Sequence, residues 1–218
     1  MLCAGLGTAT EAIGEGLCAK LLCSSTSSLI ITVTKVIKPL FRETIMDKTF
    51  QKFLRSGIDL SPVGVERREG NNPYFCTPKG ASIFGWAGVD GIHFCFIRGF
   101  GGMVFAVSPM NSAPDFVHPL SKDFADFLRL LLACGDVAAL EQAWMWDEAQ
   151  FEAFLRNSPP TQAQQVRLSE VAARLNLTPM EHPWAYLKEL QASFDYGKIK
   201  YTEDYYCLLY TSPSPRDA

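Results

Sequence analysis

Positive charge is not in excess in this 218-residue chain: 20 Lys and Arg stand against 23 Asp and Glu, a net charge of −3. Gripping nucleic acid through its phosphates needs clustered cations, so no nucleic-acid partner is expected. Long apolar runs are missing too. No stretch reaches the roughly eighteen consecutive apolar residues of a membrane-spanning helix, and no membrane partner is expected. Between Met46 and Tyr206 there is no paired C-x2-4-C knuckle of the kind that holds structural zinc. A G-x-S-x-G elbow and an H-E-x-x-H pair are also absent, which removes the commonest hydrolase and metalloprotease signatures. No metal and no cofactor are expected.

The two ends read differently from the middle. Cys207 to Ser212 reads as a translation of TGT CTC TTA TAC ACA TCT, the start of a transposase sequencing adapter, and the Ser/Pro residues that follow continue it. Residues 207–218 are therefore expected to be an adapter-derived artefact, with the native protein continuing past Tyr206. Residues 1–45 carry three of the seven cysteines and a Ser/Thr-rich patch, and their apolar residues keep neither a helical nor a strand period. Arg42-Glu43 can be encoded by a purine run where a bacterial ribosome-binding sequence would sit, so translation is expected to start at Met46, with 1–45 a non-native or disordered leader. Leu21 to Val36 is the rival reading, a secretory signal, but Ser and Thr interrupt it and no A-x-A site follows.

Residues 46–206 are expected to form one domain, long enough to bury about 70% of the unfolded surface without disulfides. Cys76, Cys95 and Cys134 are an odd number inside apolar segments, as expected of reduced, buried thiols in a cytoplasmic protein. The fold class is α+β, an antiparallel sheet in the N-terminal half followed by several C-terminal helices packed on it. Asp47 is placed to cap a short helix ending at Gly57. Val63 to Glu66 and Tyr74 to Cys76 read as short strands around the polar turn 69–73. Asp90-Gly91 is a hairpin signal between Ile83–Trp86 and Ile92–Ile97, and Met103–Val107 follows. The last two runs are apolar at nearly every position, so they should be covered on both faces.

From Ser121 onward the apolar period becomes helical. Ser121 is the expected cap of a helix carrying Phe124, Phe127, Leu128, Leu131 and Leu132 on one face and ending at Gly135. Further helices are expected over Leu140–Trp146, after Asp147, after Thr161, and from Thr178-Pro179 onward.

Candidate chemistry is sparse. His93 and Cys95 alternate on one strand and could point together, and Cys76 and His118 complete the conceivable metal set, but core packing explains all four. A Cys/His nucleophile would need a lowered thiol pKa, whereas thiols in apolar surroundings are raised and inert. Gly99-Phe100-Gly101-Gly102 lacks the Lys-Ser/Thr of a phosphate loop and reads as a tight hairpin. Asp115, Asp123 and Asp126 lie near expected helix starts, where they offset the dipole. The final stretch interleaves acid and tyrosine, and Asp195, Tyr196, Tyr201, Asp204 and Tyr205 are the candidate partner-binding residues, since tyrosines anchor interfaces and acidic rims steer basic partners. The plainer alternative is a solvated surface segment.

Three pieces of this pattern, Val89-Asp90-Gly91-Ile92-His93-Phe94-Cys95-Phe96, Met103-Val104-Phe105-Ala106-Val107 and Phe124-Ala125-Asp126-Phe127-Leu128, resemble the SUKH superfamily, over about residues 75–132. That superfamily includes cell-wall regulators of the Smi/Knr type and many bacterial immunity proteins. A Pro-rich approach before the sheet, usual in its members, has no counterpart between Gly57 and Pro73. The resemblance implies a sheet flanked by helices that binds another protein without chemistry of its own, in bacteria often a toxin domain. The alternatives are a small cytoplasmic enzyme using a His/Cys site, or a regulatory domain.

Overall fold

The computed structural model describes residues 47–68, 73–88 and 90–211, with side chains as far as Cys207. The expected leader, the start at Met46, turn residues 69–72, Val89 and residues 212–218 lie outside the described residues.

Asp47 opens α1 (Lys48–Ser56), accepting the Thr49 N–H at 2.9 Å, and Gly57 ends the helix in the left-handed region at φ 68°. The other Asp47 carboxylate oxygen accepts the Phe124 N–H at 3.0 Å. One side chain therefore ends two helices' worth of unpaired donors, the second far away in sequence.

Four strands follow, β1 (Ala81–Trp86), β2 (His93–Ile97), β3 (Val104–Val107) and β4 (Val117–Ser121), in an antiparallel meander of order β1-β2-β3-β4. The β1–β2 connection turns at Asp90 and Gly91, both at positive φ (56° and 69°), as the Asp-Gly pair predicts. Every residue of β2 and β3 is buried, so the apolar runs are indeed covered on both sides. One face carries Phe94, Phe96, Val104, Ala106 and Leu120 into a core shared with the helices. At its centre Phe50, Phe84, Phe96, Phe124 and Phe127 pack edge to face or tilted, ring centroids 4.7 to 6.2 Å apart. The opposite face carries Cys95, Ile97, Phe105, Val107 and Val117 against Cys76, Phe194, Ile199, Tyr201 and Tyr205. The segment from Phe194 to Tyr205 is thus a strap laid across the back of the sheet.

The helices are α2 (Phe124–Cys134), α3 (Val137–Gln142), α4 (Glu148–Asn157), α5 (Gln162–Leu175), α6 (Pro183–Ser193) and α7 (Glu203–Thr211). Asp147 with Gln150, and Thr161 with Gln164, form complete capping boxes where the sequence places the starts of α4 and α5.

Several expectations need correction. Val63 to Glu66 is not a strand: Ser61–Val63 is a 3-10 turn around Pro62, and only Glu66 pairs, in an isolated bridge to Trp86. Tyr74 to Cys76 is a turn, because the Thr77 N–H reaches back to the Tyr74 carbonyl and the Thr77 hydroxyl takes the Tyr74 N–H. Val117–Ser121 is a strand despite its proline, which an edge strand tolerates. Ser121 consequently ends β4 and donates to the Asp123 carbonyl, and Asp123 caps α2. Asp115 lies in the loop before β4 rather than at a helix start. The α3 helix begins at Val137, capped by Asp136, and 143–145 tightens into a 3-10 turn. Thr178-Pro179 opens no helix: the Met180 N–H binds the Arg129 carbonyl, holding that segment on α2, and α6 begins four residues on with Pro183 in its first turn.

Candidate functional site

Inside the sheet, the sequence's chemically versatile residues are fully engaged in packing. His93 is completely buried; its Nδ1–H donates to the Gly91 carbonyl at 2.8 Å, which leaves Nε2 to accept from the Thr77 hydroxyl at 3.0 Å. Both ring nitrogens are thereby satisfied in the neutral form, and burial holds its pKa below the usual histidine value. Cys95 is buried on the same strand with its thiol pKa pushed up by desolvation alone. Burial likewise raises Cys76 to about 11 and Cys134 to about 12. Among the described residues no group of three His, Cys, Asp or Glu side chains is placed to hold a metal ion.

The residues that meet solvent together lie at the β4 edge, where the strap passes the 3-10 turn Ala143–Met145 and α6. There Asp115, His118, Trp144, Lys188, Tyr196, Tyr201 and Tyr205 line a recess of about 560 Å³, within the range of ligand-sized clefts. His118 lies flat on Trp144, centroids 4.5 Å apart and planes at 9°, while its Nε2–H donates to the Asp115 carbonyl at 3.0 Å. Burial lowers the His118 pKa, partly offset by that carbonyl. Lys188 Nζ donates to the Trp144 carbonyl at 2.8 Å, and desolvation lowers its pKa. The strap supplies the rest of the wall: Tyr201 and Tyr205 stack at 3.9 Å, and Tyr196 packs edge-on against Phe194. Burial raises the Tyr201 and Tyr196 hydroxyl pKa values, so both stay neutral donors through physiological pH. The Trp144 indole N–H is buried without an acceptor among the described residues.

Of the five candidate residues, the fold brings Tyr196, Tyr201 and Tyr205 to this one recess. Tyr205 is only 7% exposed and packs edge-on against Phe116, so its ring belongs as much to the core as to the recess. Asp195 is exposed and pairs with Lys198 at 3.4 Å, and Asp204 is exposed in the first turn of α7. His118, Trp144 and Lys188 come from three separate elements, Trp144 and Lys188 alone lying 44 residues apart, and show no common spacing; nothing in the sequence groups them with the tyrosines.

Compared with known proteins, the chain matches no family model, no curated protein and no solved structure. Among the described residues no helix is long and apolar enough to cross a membrane.

Proposed function

We propose that this chain is a non-catalytic protein-binding module of the SUKH-like kind, working in the cytoplasm, and that the recess at the β4 edge is its partner-binding face. One observation carries the reading: an aromatic hollow built from Trp144, Tyr196, Tyr201 and Tyr205 is open at the surface, with Tyr196 42% exposed at its mouth. Tryptophan and tyrosine dominate the anchor points of protein interfaces because they bury large area at little entropic cost. The sheet and strap hold these rings in place before binding, which lowers the ordering cost of association. Asp115 in the wall, with Glu203 and Asp204 exposed in the first turn of α7, supplies carboxylates suited to a basic partner such as a nuclease toxin domain. An α+β sheet with helices on one face agrees with the architecture the SUKH resemblance implies.

The test is co-expression with basic nuclease toxin domains, starting with any encoded by a neighbouring gene, reading cell survival and complex formation by size exclusion. A one-to-one complex that protects cells, and that weakens at least about tenfold in Tyr196→Ala, is expected. Absence of a complex, or a complex equally tight in Tyr196→Ala and Asp204→Lys, would overturn the proposal.

A further inference from the structure

A second groove lies along the same strap, lined by its Phe194, Asp195, Lys198 and Lys200, and its cationic chemistry differs from that of the first. Lys79, Arg98, Lys198 and Lys200 converge on a hollow of about 610 Å³ whose floor includes Phe100 and Phe194. These cations come from three separate pieces of chain: the turn before β1, the start of the β2–β3 hairpin and the strap. Main-chain hydrogen bonds lace the pieces together. The Lys79 N–H donates to the Lys200 carbonyl at 2.7 Å, and the Arg98 N–H to the Gly80 carbonyl at 3.2 Å. Lys198 is partly matched by Asp195 at 3.4 Å. For Lys79, Arg98 and Lys200 there is no carboxylate partner among the described residues. A net-acidic protein has thus gathered four cations around one hollow in whose lining Asp195 is the single carboxylate, on a backbone that holds Lys79, Arg98 and Lys200 there with no ion-pair partner among the described residues.

The floor narrows the choice of anion. Phe100 and Phe194 lie with ring centroids 5.4 Å apart and tilted by 39°, both only part-buried, and Phe100 is carried by the Gly-rich hairpin Gly99–Gly102. That hairpin is a tight turn, as its sequence predicts, and not a phosphate loop; it nevertheless supplies an aromatic wall to a cationic groove. From this geometry we infer that the groove binds a small organic phosphate with a flat apolar body, of which a nucleoside phosphate is the plainest example. The cations take the phosphates and the phenylalanines take the ring. Size excludes a long polyanion: beyond a screening length of about 8–10 Å a nucleic acid would meet the net negative charge of the molecule, whereas a small phosphate senses only the local cations. The site shares no lining residue with the aromatic recess, so it stands or falls independently of the protein-binding reading.

The experiment is isothermal titration calorimetry of the full chain with magnesium-free ATP, alongside tripolyphosphate and adenosine. Saturable ATP binding is expected, at least about tenfold tighter than adenosine or tripolyphosphate, and weakening as salt rises. The charge-reversed R98E/K200E variant should lose at least about tenfold in ATP affinity at an unchanged melting temperature. Should that variant fail to fold, K79Q/K200Q, which removes charge without reversing it, should still lose at least about threefold. No saturable ATP binding up to about 5 mM, or ATP affinity in the folded variants within about twofold of wild type, would overturn the inference. Tripolyphosphate binding as tightly as ATP would overturn the aromatic half of it, and adenosine binding as tightly as ATP the anionic half.

Discussion

Glu141→Gln should stabilise this protein at alkaline pH, and progressively less as the pH falls toward 4.5. Glu141 sits in α3 with 8% of its surface exposed, and no ion pair or hydrogen bond reaches its carboxyl among the described residues. Burial alone raises its pKa from 4.5 to about 7. Because the folded pKa lies above the unfolded one, the folded state holds the proton more tightly, and stability is lost as pH rises from about 4.5 through 7. A rise from 4.5 to about 7 is worth about 3 kcal/mol at pH 8. Glutamine occupies the same space and never ionises, so it should recover that amount. At pH 5 the recoverable part shrinks to about 1 kcal/mol, since the folded carboxyl is already protonated there. Urea unfolding followed by the fluorescence of the four tryptophans measures both numbers, and the melting temperature at pH 8 should rise by about 6–12 °C. A stability change equal at pH 5 and pH 8, or a loss at pH 8, would refute the reasoning and show that the carboxylate finds water or a cation.

Other outcomes follow from named contacts. Asp47→Ala removes the cap of α1 and the acceptor of the Phe124 N–H together, so it should cost about 2–3 kcal/mol, roughly twice an ordinary cap deletion, in the same unfolding assay. Phe124→Ala empties the centre of the five-ring cluster and should cost about 3–5 kcal/mol, against well under 1 kcal/mol for truncating exposed Val166. His93 and His118 have folded pKa values below the usual 6.5, so the stability tied to their neutral forms is full above pH 6.5 and falls as pH drops below it; NMR titration of the folded protein should show both rings titrating below an unfolded-chain histidine. Thiol titration of the native protein should find Cys76, Cys95 and Cys134 unreactive until it unfolds, being buried with raised pKa values.

Local signals determined much of this molecule. Asp47, Gly57, Asp147 and Thr161 cap or end helices where their own side chains and backbone freedom dictate, because a helix end is satisfied within a few residues. Asp90-Gly91 turns the β1–β2 hairpin for the same reason, and the unbroken apolar runs of β2 and β3 announced a sheet covered on both faces. The tertiary structure decided what covers the second face. The strap from Phe194 to Tyr205 has no regular period, so in sequence it reads as surface, yet Ile199 and Tyr205 close the sheet. It also decided the two grooves. The recess joins His118, Trp144 and Lys188 to the strap tyrosines, and the cationic groove joins Lys79, Arg98 and Lys200, through contacts between elements far apart along the chain. Such groupings arise only when the strap crosses the sheet, which no spacing rule encodes; the capping and turn rules act over a few residues, and these sites are assembled from elements far apart along the chain.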